Sequence, residues 1–508
     1  MTRDEPVTSR SEPGDVPDLP GPHADDPDPR AETLVRAAVE VLTAALPGAV
    51  ASRAAHDELV AAVPADLEGL GDGARRRVTA AMILVKTRAN AVYEAVALAD
   101  AERALLPAAR KADLGDAALS ACWAAASEAY AALGLPRRGS ACARNAAEYA
   151  RAAGDDAHLF RALELLTVNR ALNGELGLTR ESANAAHELE RKHGWENTST
   201  AYLLLVGEVL HAYDTLDVDT LVTCAERFRR GQPGDPAWVA MACYAEAIEL
   251  LIRGRHSEAL AAITRVTNSS DQLRIPLIVQ GFATGFVATV LTARGEPQRV
   301  LQLLDGRESS PGHALCYDVH RASAYLLLGN DRQALVTTDG CMRLGTDHCL
   351  RTLPPVLLQR AIANHRLGHH AAADAALADA FSLYRSTGAT GVPLSIVPRG
   401  DLEELLARLR ARQPHLASDI DELSANALAS FITVPTDLPV PPSLTKRETL
   451  VAHQLRGQGT MAEIAGTLLV SVNTIKTQIR SLYHKLGVSS REDAVAHLER
   501  SGFYDRSS

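Results

Sequence analysis

The chain has 508 residues, of which 46% are apolar and only 4% aromatic, and its formal net charge is -10. This length allows a large core in more than one domain, and the excess of small aliphatic residues favours closely packed helices over an all-β architecture. The net acidity excludes a protein that coats nucleic acid over its whole surface, so any contact with a polyanion has to be local. The seven cysteines include no Cys-x-x-Cys pair, which argues against a disulfide framework or zinc site and favours a reducing cytoplasm.

The first segment of the chain has the composition of a disordered tail. Residues 1–30 hold seven prolines and eight carboxylates with almost no large apolar side chain. Such a segment cannot bury enough apolar surface to offset the entropy of ordering its backbone. The charged start of the chain also differs from a signal peptide. We therefore predict an acidic, disordered tail over 1–30.

Residues 31–431 read as one short helix after another, with no run of alternating β pattern. Turn-like stretches divide this region at spacings of 34–42 residues. The residues at their centres are Gly134, Gly174, Leu216, Gly254, Gly295, Gly329 and Gly368. Regular spacing on this scale indicates stacked helical hairpins.

Three of these units show the pattern of a tight helical hairpin. A turn glycine is followed five residues later by Ala259, Ala334 or Ala373. The glycine tolerates the positive φ at which a helix ends, and the small alanine lets the two helices approach closely. The pattern resembles tetratricopeptide (TPR) repeats, although most units here are longer. The resemblance implies an all-α solenoid whose interior binds a protein, a peptide or a small-molecule effector.

One part of this region is apolar enough to be compared with a membrane span. Residues 275–293 carry no charge over 19 positions, close to the length of about 20 that a transmembrane helix needs. Four polar residues dilute the segment, and it falls in phase with the repeat. We therefore predict a buried solenoid helix here and no membrane contact.

A short linker separates the repeats from a small C-terminal domain, predicted over 444–502. Four prolines within residues 432–443 favour an extended spacer. Beyond it, Ser/Thr-x-x-Glu capping boxes begin at Thr445, Thr460 and Ser489. Ser471 can cap a further helix that ends before Gly487. Four short helices in this space predict a compact bundle in which a tight turn joins the second and third as a helix-turn-helix.

The third helix of this bundle has two contrasting sides. One apolar stripe is predicted to face the core: Ile475, Ile479, Leu482 and Leu486. The opposite side carries Asn473, Thr477, Arg480 and His484, with Lys476 on the flank. No Asp or Glu occurs between Glu463 and Glu492. A basic, hydrogen-bonding helix without carboxylates fits the major groove of double-stranded DNA.

The segment 444–498 resembles the LuxR-type helix-turn-helix domain. The matching residues are Leu444, Thr445, Arg447, Glu448, Glu463, Ile464, Ala465, Leu468, Ser471, Thr474, Ile475, Lys476, Lys485, Leu486, Gly487, Val488, Ser489, Ser490, Arg491, Ala494 and Val495. The resemblance implies a recognition helix over 472–485. Its implied base contacts are Lys476, Thr477 and Arg480, its implied phosphate contacts are Ser471, Thr474 and Lys485, and Asn473, Gln478 and His484 complete the predicted DNA-binding set. It also implies a homodimer formed through the final helix.

Catalytic and metal-binding functions receive little support from the sequence. No Gly-x4-Gly-Lys-Ser/Thr phosphate loop and no alternating βα receiver pattern occur, so we expect neither an enzyme nor a cofactor. Three histidines, at 365, 369 and 370, lie near Cys341 and Cys349 in sequence. Their spacings match no usual ligand pattern, and we predict turn residues there rather than a metal site.

The favoured hypothesis is a sequence-specific DNA-binding transcriptional regulator, all-α and cytoplasmic, whose repeats bind an effector or a protein partner. One alternative is a TPR-type interaction scaffold in which the C-terminal bundle serves as a docking module. A second alternative is a sigma factor, whose DNA-reading end is similar. A sigma factor also needs a basic, aromatic-bearing region that melts the promoter, and residues 31–430 hold few aromatic side chains.

Overall fold

The computed structural model describes residues 29–47, 52–106, 114–195, 201–267, 272–388, 397–422 and 444–503, except positions 458, 487, 489, 501 and 502. The predicted acidic tail lies outside these residues except for its last two positions, which begin the first helix. The predicted linker over 432–443 also lies outside them. Across the described ranges the chain is helical and contains no β-strand, which confirms the all-α prediction.

Nineteen α-helices whose two ends both lie in described residues precede the predicted linker. They are α1 (Pro29–Ala44), α2 (Arg53–Ala61), α3 (Asp72–Arg88), α4 (Val92–Leu105), α5 (Asp116–Leu133), α6 (Pro136–Ala153), α7 (Asp156–Asn173), α8 (Leu176–His193), α9 (Tyr202–Thr215), α10 (Val218–Gly231), α11 (Pro236–Ile252), α12 (His256–Thr267), α13 (Leu277–Ala293), α14 (Pro297–Leu303), α15 (Tyr317–Leu327), α16 (Asp331–Leu344), α17 (Leu353–Arg366), α18 (His370–Thr387) and α19 (Arg399–Arg412). Four more follow it: α20 (Lys446–Leu455), α21 (Met461–Thr467), α22 (Val472–Leu486) and α23 (Arg491–Arg500).

The repeat region is built from helical hairpins stacked side by side. Each helix from α5 to α9 packs against the next along the chain. The odd-numbered helices from α3 to α17 also pack against one another in an unbroken row. These odd-numbered helices form an inner layer and the even-numbered helices an outer one, which is the arrangement of a TPR-like solenoid.

The turns between paired helices have the backbone conformation that the sequence predicted. All seven predicted turn centres have positive φ, from 57° at Leu216 to 83° at Gly174. Glycine adopts this left-handed conformation without a steric penalty. Leu216 adopts it at the end of α9, where its amide donates to the carbonyl of Tyr213. The turn positions inferred from spacing are therefore confirmed.

Close approach of paired helices relies on the predicted small residues. Ala259 and Ala373 have no exposed surface, and Ala334 is almost completely buried. The charge-free segment forms α13, whose Val279, Ala283 and Phe286 lie in the core, as predicted for a solenoid helix. Among the described residues, no helix has the length and apolarity needed to cross a membrane.

The solenoid curves until its later hairpins meet its earlier ones. The side-chain amide of Asn90, at the end of α3, donates to the carbonyls of Leu273 and Ile275 at 3.1 and 3.0 Å. Its side-chain oxygen accepts from the amide of Leu277, the first residue of α13. Farther along, Arg351 pairs with Asp214 at 2.8 Å. These contacts between distant parts of the chain close the superhelix, and Asn90 lines an internal cavity.

The C-terminal helices form a bundle with its own hydrophobic core. The helix α22 packs against α20, α21 and α23. The buried side chains of this core are Val451, Ala452, Leu455, Ile464, Ala465, Ile475, Ile479, Leu482, Leu486, Ala494, Leu498 and Phe503. All four predicted stripe residues of α22 belong to it, so the predicted core-facing side is confirmed.

Candidate nucleic-acid interface

Two capping boxes fix the first two helices of the bundle. The carboxylate of Glu448 accepts from the backbone amide of Thr445 at 2.8 Å, and the Thr445 hydroxyl accepts from the Glu448 amide at 3.3 Å. Thr460 and Glu463 form the same reciprocal pair at the start of α21, with distances of 2.6 and 3.4 Å. These bonds satisfy amides that a helix start otherwise leaves unpaired. Both boxes were predicted and are confirmed.

The last helix has a cap one residue after the start of the third predicted box. The hydroxyl of Ser490 accepts from the amide of Asp493 at 3.0 Å, so Ser490 caps α23, which begins at Arg491. Ser489, the residue expected to cap this helix, lies outside the described residues. In the sequence Ser-Ser-Arg-Glu-Asp, either serine has an acidic residue three positions later and could cap the helix. The start of α23 at Arg491 selects Ser490.

The turn before α22 sets the direction of that helix. Its hydroxyl cap is Ser471, which accepts from the amide of Thr474 at 3.1 Å. Leu469 lies at the tip of this turn with φ of 52° and with 91% of its surface exposed. A left-handed conformation is strained for a residue with a side chain. The helix-turn-helix geometry is therefore kept at some local energetic cost.

The predicted DNA-contacting side of α22 faces outward. Exposed side chains on it are Ser471, Asn473, Lys476, Thr477 and Arg480, whereas Thr474 and Gln478 are half-buried. The hydroxyl of Thr477 donates to the carbonyl of Asn473 at 3.0 Å, which leaves the threonine methyl and oxygen lone pairs available. The side chain of His484 lies outside the described residues. Because this side combines cationic and hydrogen-bonding groups without a carboxylate on α22, it can approach a phosphate backbone without electrostatic repulsion.

Lys485 has a role that sequence reasoning missed. Its ammonium group donates to the carboxylate of Glu448 at 2.7 Å, and Ser481 donates to the same carboxylate at 2.9 Å. The hydrogen bond from Lys485, with those from Thr445 and Ser481, lowers the pKa of Glu448 to about 2. Glu448 therefore joins the start of α20 to the last turns of α22. The capping motif and the family resemblance both marked Glu448 in the sequence, but neither could reveal partners more than 30 residues away.

Arg491 is a second structural cation. Its guanidinium donates to the carbonyls of Leu455, Gly457 and Gly459 at 3.0, 2.6 and 2.7 Å. Leu455 is the last residue of α20, and Gly457 and Gly459 lie in the loop between α20 and α21. Arg491 therefore holds the final helix against that loop. In this arrangement the positive charges presented by α22 itself are Lys476 and Arg480, with Lys485 partly neutralised by Glu448.

A cavity of about 440 Å³ lies on the inner side of the solenoid. Its walls come from the inner helices, from the end of α1 to α13, and include the aromatic rings of Tyr202 and Trp238. One wall is ionic: Arg88 donates to Glu128 at 3.0 Å, and Arg161 also pairs with Glu128. Pockets of this size accommodate drug-sized ligands.

The comparisons with known proteins agree with the geometry of the bundle. Residues 442–498 match the GerE family, described as bacterial regulatory proteins of the luxR family. The C-terminal bundle is a LuxR-type helix-turn-helix domain. Over 98 residues the chain is 37% identical to the HTH-type transcriptional regulator MalT of Cronobacter sakazakii. That match covers 19% of this chain and only 11% of the length of MalT.

The helical region has a structural neighbour of different sequence. The crystal structure of a Rap protein complexed with Competence and Sporulation Factor aligns with a TM-score of 0.53 and 10% sequence identity. The alignment covers 71% of this chain and 99% of the Rap chain. At this identity the likeness concerns the fold alone. It supports a TPR-like superhelix as the architecture of the larger region.

Proposed function

We propose that this protein is a sequence-specific transcriptional regulator that reads double-stranded DNA through α22. The observation that carries the proposal is the outward side of that helix, where Lys476, Thr477 and Arg480 are exposed directly opposite the buried stripe. An α-helix fits the major groove, where arginine or lysine donates to guanine and the threonine methyl contacts thymine. The match to LuxR-type domains supports the same orientation.

The salt dependence of duplex binding by the full-length chain tests this proposal. Each phosphate contact contributes a slope of about -0.9 to the plot of log affinity against log salt concentration. We expect steep dependence for the native protein and weaker binding for Lys476→Ala/Arg480→Ala. A charge-matched control, Arg137→Ala/Arg332→Ala, removes two exposed cations from the repeats and should keep native affinity. Salt-independent binding would favour a docking bundle and hence the scaffold alternative.

A homodimer through α23 is part of the proposal. A dimer would place two recognition helices on half-sites about one turn of DNA apart. The helix buries Ala494 and Leu498 in its own bundle, so a partner would meet a different side of it. Analytical ultracentrifugation with and without duplex tests the dimer. A strictly monomeric complex on every duplex would refute it.

We further propose that the 440 Å³ cavity binds an effector with an apolar body and a charged group. The aromatic rings of Tyr202 and Trp238 would contact the body, and the ionic wall at Arg88 and Arg161 would orient the charge. The Rap protein, crystallised in complex with Competence and Sporulation Factor, offers a precedent for complex formation by this fold. Because the repeats and the DNA-reading bundle belong to one chain, effector binding and DNA binding would both take place in the cytoplasm.

An apolar anionic probe tests the cavity without knowledge of the natural effector. We expect anilinonaphthalene sulfonate to bind the full-length chain and to bind much less to Ala132→Trp, which narrows the cavity. The matched control is Ala101→Trp on the exposed side of α4, which should bind the probe as the native chain does. Equal binding to both variants would place the probe elsewhere and remove this support.

A further inference from the structure

Four potential metal ligands meet between the hairpins that follow α13. His313 and Cys316 come from the loop between α14 and α15, Cys341 from α16, and His348 from the loop after α16. Their ligand atoms all lie within 4.8 Å of one another, and three of the four residues are buried. This cluster is distinct from the DNA-reading bundle. The spacing His-x2-Cys, 24 residues, Cys-x6-His was not recognised as a ligand pattern in the sequence.

The distances within the cluster match the edges of a zinc tetrahedron. The two sulfurs, Cys316 Sγ and Cys341 Sγ, are 3.7 Å apart, and they lie 3.4 and 3.5 Å from His313 Nδ1. Zinc binds sulfur at about 2.3 Å and histidine nitrogen at about 2.0–2.1 Å, so tetrahedral geometry places two sulfurs about 3.8 Å apart and sulfur and nitrogen about 3.5 Å apart. The four side chains therefore need little movement to surround one ion.

The fourth ligand, His348, is oriented for coordination. Its Nδ1 lies 2.9 Å from the carbonyl oxygen of Cys349, so this nitrogen carries the proton and donates it. The other nitrogen, Nε2, is buried and makes no hydrogen bond of normal geometry within the described part of the chain. A backbone carbonyl that fixes the ring in this way is the usual partner of a metal-bound histidine. A bound cation would satisfy the buried lone pair of Nε2.

We propose that His313, Cys316, Cys341 and His348 form a structural zinc site. Two thiolates and two neutral imidazoles are a donor set that favours Zn²⁺, and four protein ligands leave no open position for catalysis. On binding, both thiols lose their protons to solvent, and the resulting site has no net charge, which suits its burial. The present spacing of 3.7 Å between the sulfurs is far from the 2.03–2.05 Å of a disulfide.

The proposed ion would stabilise the loops that close the superhelix. The amide of Cys349 donates to the carbonyl of Gly312, so the two ligand-bearing loops are already joined. The Cys349 thiol reaches the carbonyl of Leu172 at the end of α7, and Arg351 pairs with Asp214 at the end of α9. Zinc would thus fix the later hairpins against the inner ends of earlier ones. Its loss would loosen this contact across the solenoid.

The experiment uses the full-length chain, purified under reducing conditions and titrated with Zn²⁺ against a chromophoric chelator. We expect one zinc per chain, and X-ray absorption should show two sulfur and two nitrogen neighbours. Cobalt in place of zinc should give thiolate-to-cobalt charge-transfer absorption and the intense d–d bands of a tetrahedral site. Failure of the reduced native chain to compete for zinc, or a cobalt spectrum without sulfur ligation, would overturn the proposal.

Variants separate coordination from a loss of folding. Loss of a residue that only hydrogen-bonds to a metal ligand weakens metal binding by roughly 10–100-fold. Cys316→Ser and His348→Gln each remove a ligand itself, so each should weaken zinc binding by more than that. Cys243→Ser, at another buried cysteine, should bind zinc like the native chain. An equal loss in that control would contradict the assignment. If the chain binds no metal and is recovered with a Cys316–Cys341 disulfide, the two cysteines are a redox pair and the zinc proposal is overturned.

Discussion

Glu448→Gln should loosen α22 while leaving the side chains on its outward side in place. The carboxylate is almost completely buried and bonds to Thr445, Ser481 and Lys485. Glutamine keeps the shape of the side chain but removes its charge and one of its two acceptors. The bonds from Lys485 to α20 and from the Thr445 amide should therefore weaken together.

The pKa of Glu448 sets the magnitude of the effect. Its fall from 4.5 to about 2 corresponds to roughly 3 kcal/mol of differential interaction as an upper limit. Lys485 is 37% exposed, and solvent screens its charge. We therefore expect a loss of about 1–2 kcal/mol in the opening free energy of the bundle at neutral pH. Because the folded pKa is depressed, this stabilisation is present above pH 4.5 and is lost as the pH falls towards 2.

Hydrogen exchange of the full-length chain measures this loss without requiring global two-state unfolding. Amides in α20 and α22 should exchange about tenfold faster in Glu448→Gln than in the native chain, since 1.36 kcal/mol is a factor of ten. Amides of the repeats should be unchanged. The matched control is Glu463→Gln, because Glu463 occupies the same position in the other capping box, and within the described residues its carboxylate bonds to Thr460 alone. Equal acceleration in both variants would refute the role of Glu448 in joining α20 to α22.

Three further substitutions test the repeats and the turn. Gly174→Ala should destabilise the chain by more than about 2 kcal/mol, because left-handed strain adds to a clash. The added Cβ would lie 2.8 Å from the backbone of Arg351. Gly154→Ala has a positive φ but open space around the Cβ, so it should lose less stability in thermal unfolding. Burial raises the pKa of Glu164 to about 8, so native stability should fall between pH 4.5 and 8, and Glu164→Gln should lessen that fall in denaturant titrations. Leu469→Gly should slow hydrogen exchange in α21 and α22, because it relieves backbone strain of about 1–2 kcal/mol. The entropy that glycine adds to the unfolded chain offsets part of this gain. Faster exchange in the variant would contradict the strain at Leu469.

The repeat architecture was predictable because its signals are local. A turn at positive φ needs glycine in most cases, and a close helix pair needs alanine, so Gly254 and Ala259 mark a hairpin by their spacing alone. Leu216 was predicted as a turn centre only because its position preserves the regular spacing of the turns. The closure of the superhelix was not predictable, since Asn90 and Leu277 are separated by 187 positions and neither belongs to a motif. The same reason hid the cavity between them.

In the DNA-reading bundle, the amphipathic pattern of α22 was sufficient to predict which side is buried. Ile475 and Ile479 recur at helical spacing, and the structure buries both. The charges were harder to interpret. Lys485 and Lys476 look alike in sequence and both are exposed, yet Lys485 bonds to Glu448. The role of a cationic side chain depends on the group it bonds to. When that group lies far away in sequence, no local sequence pattern indicates the bond.

Site selection from randomised duplexes by the full-length chain tests the central claim most directly. The native protein should enrich one motif, and Lys476→Ala/Arg480→Ala should lose selectivity at particular base pairs, each worth about 1–3 kcal/mol. The charge-matched control Arg137→Ala/Arg332→Ala should enrich the native motif. If the native chain enriches no motif, or if the double variant in α22 enriches the same motif with the same affinity, α22 does not read DNA sequence.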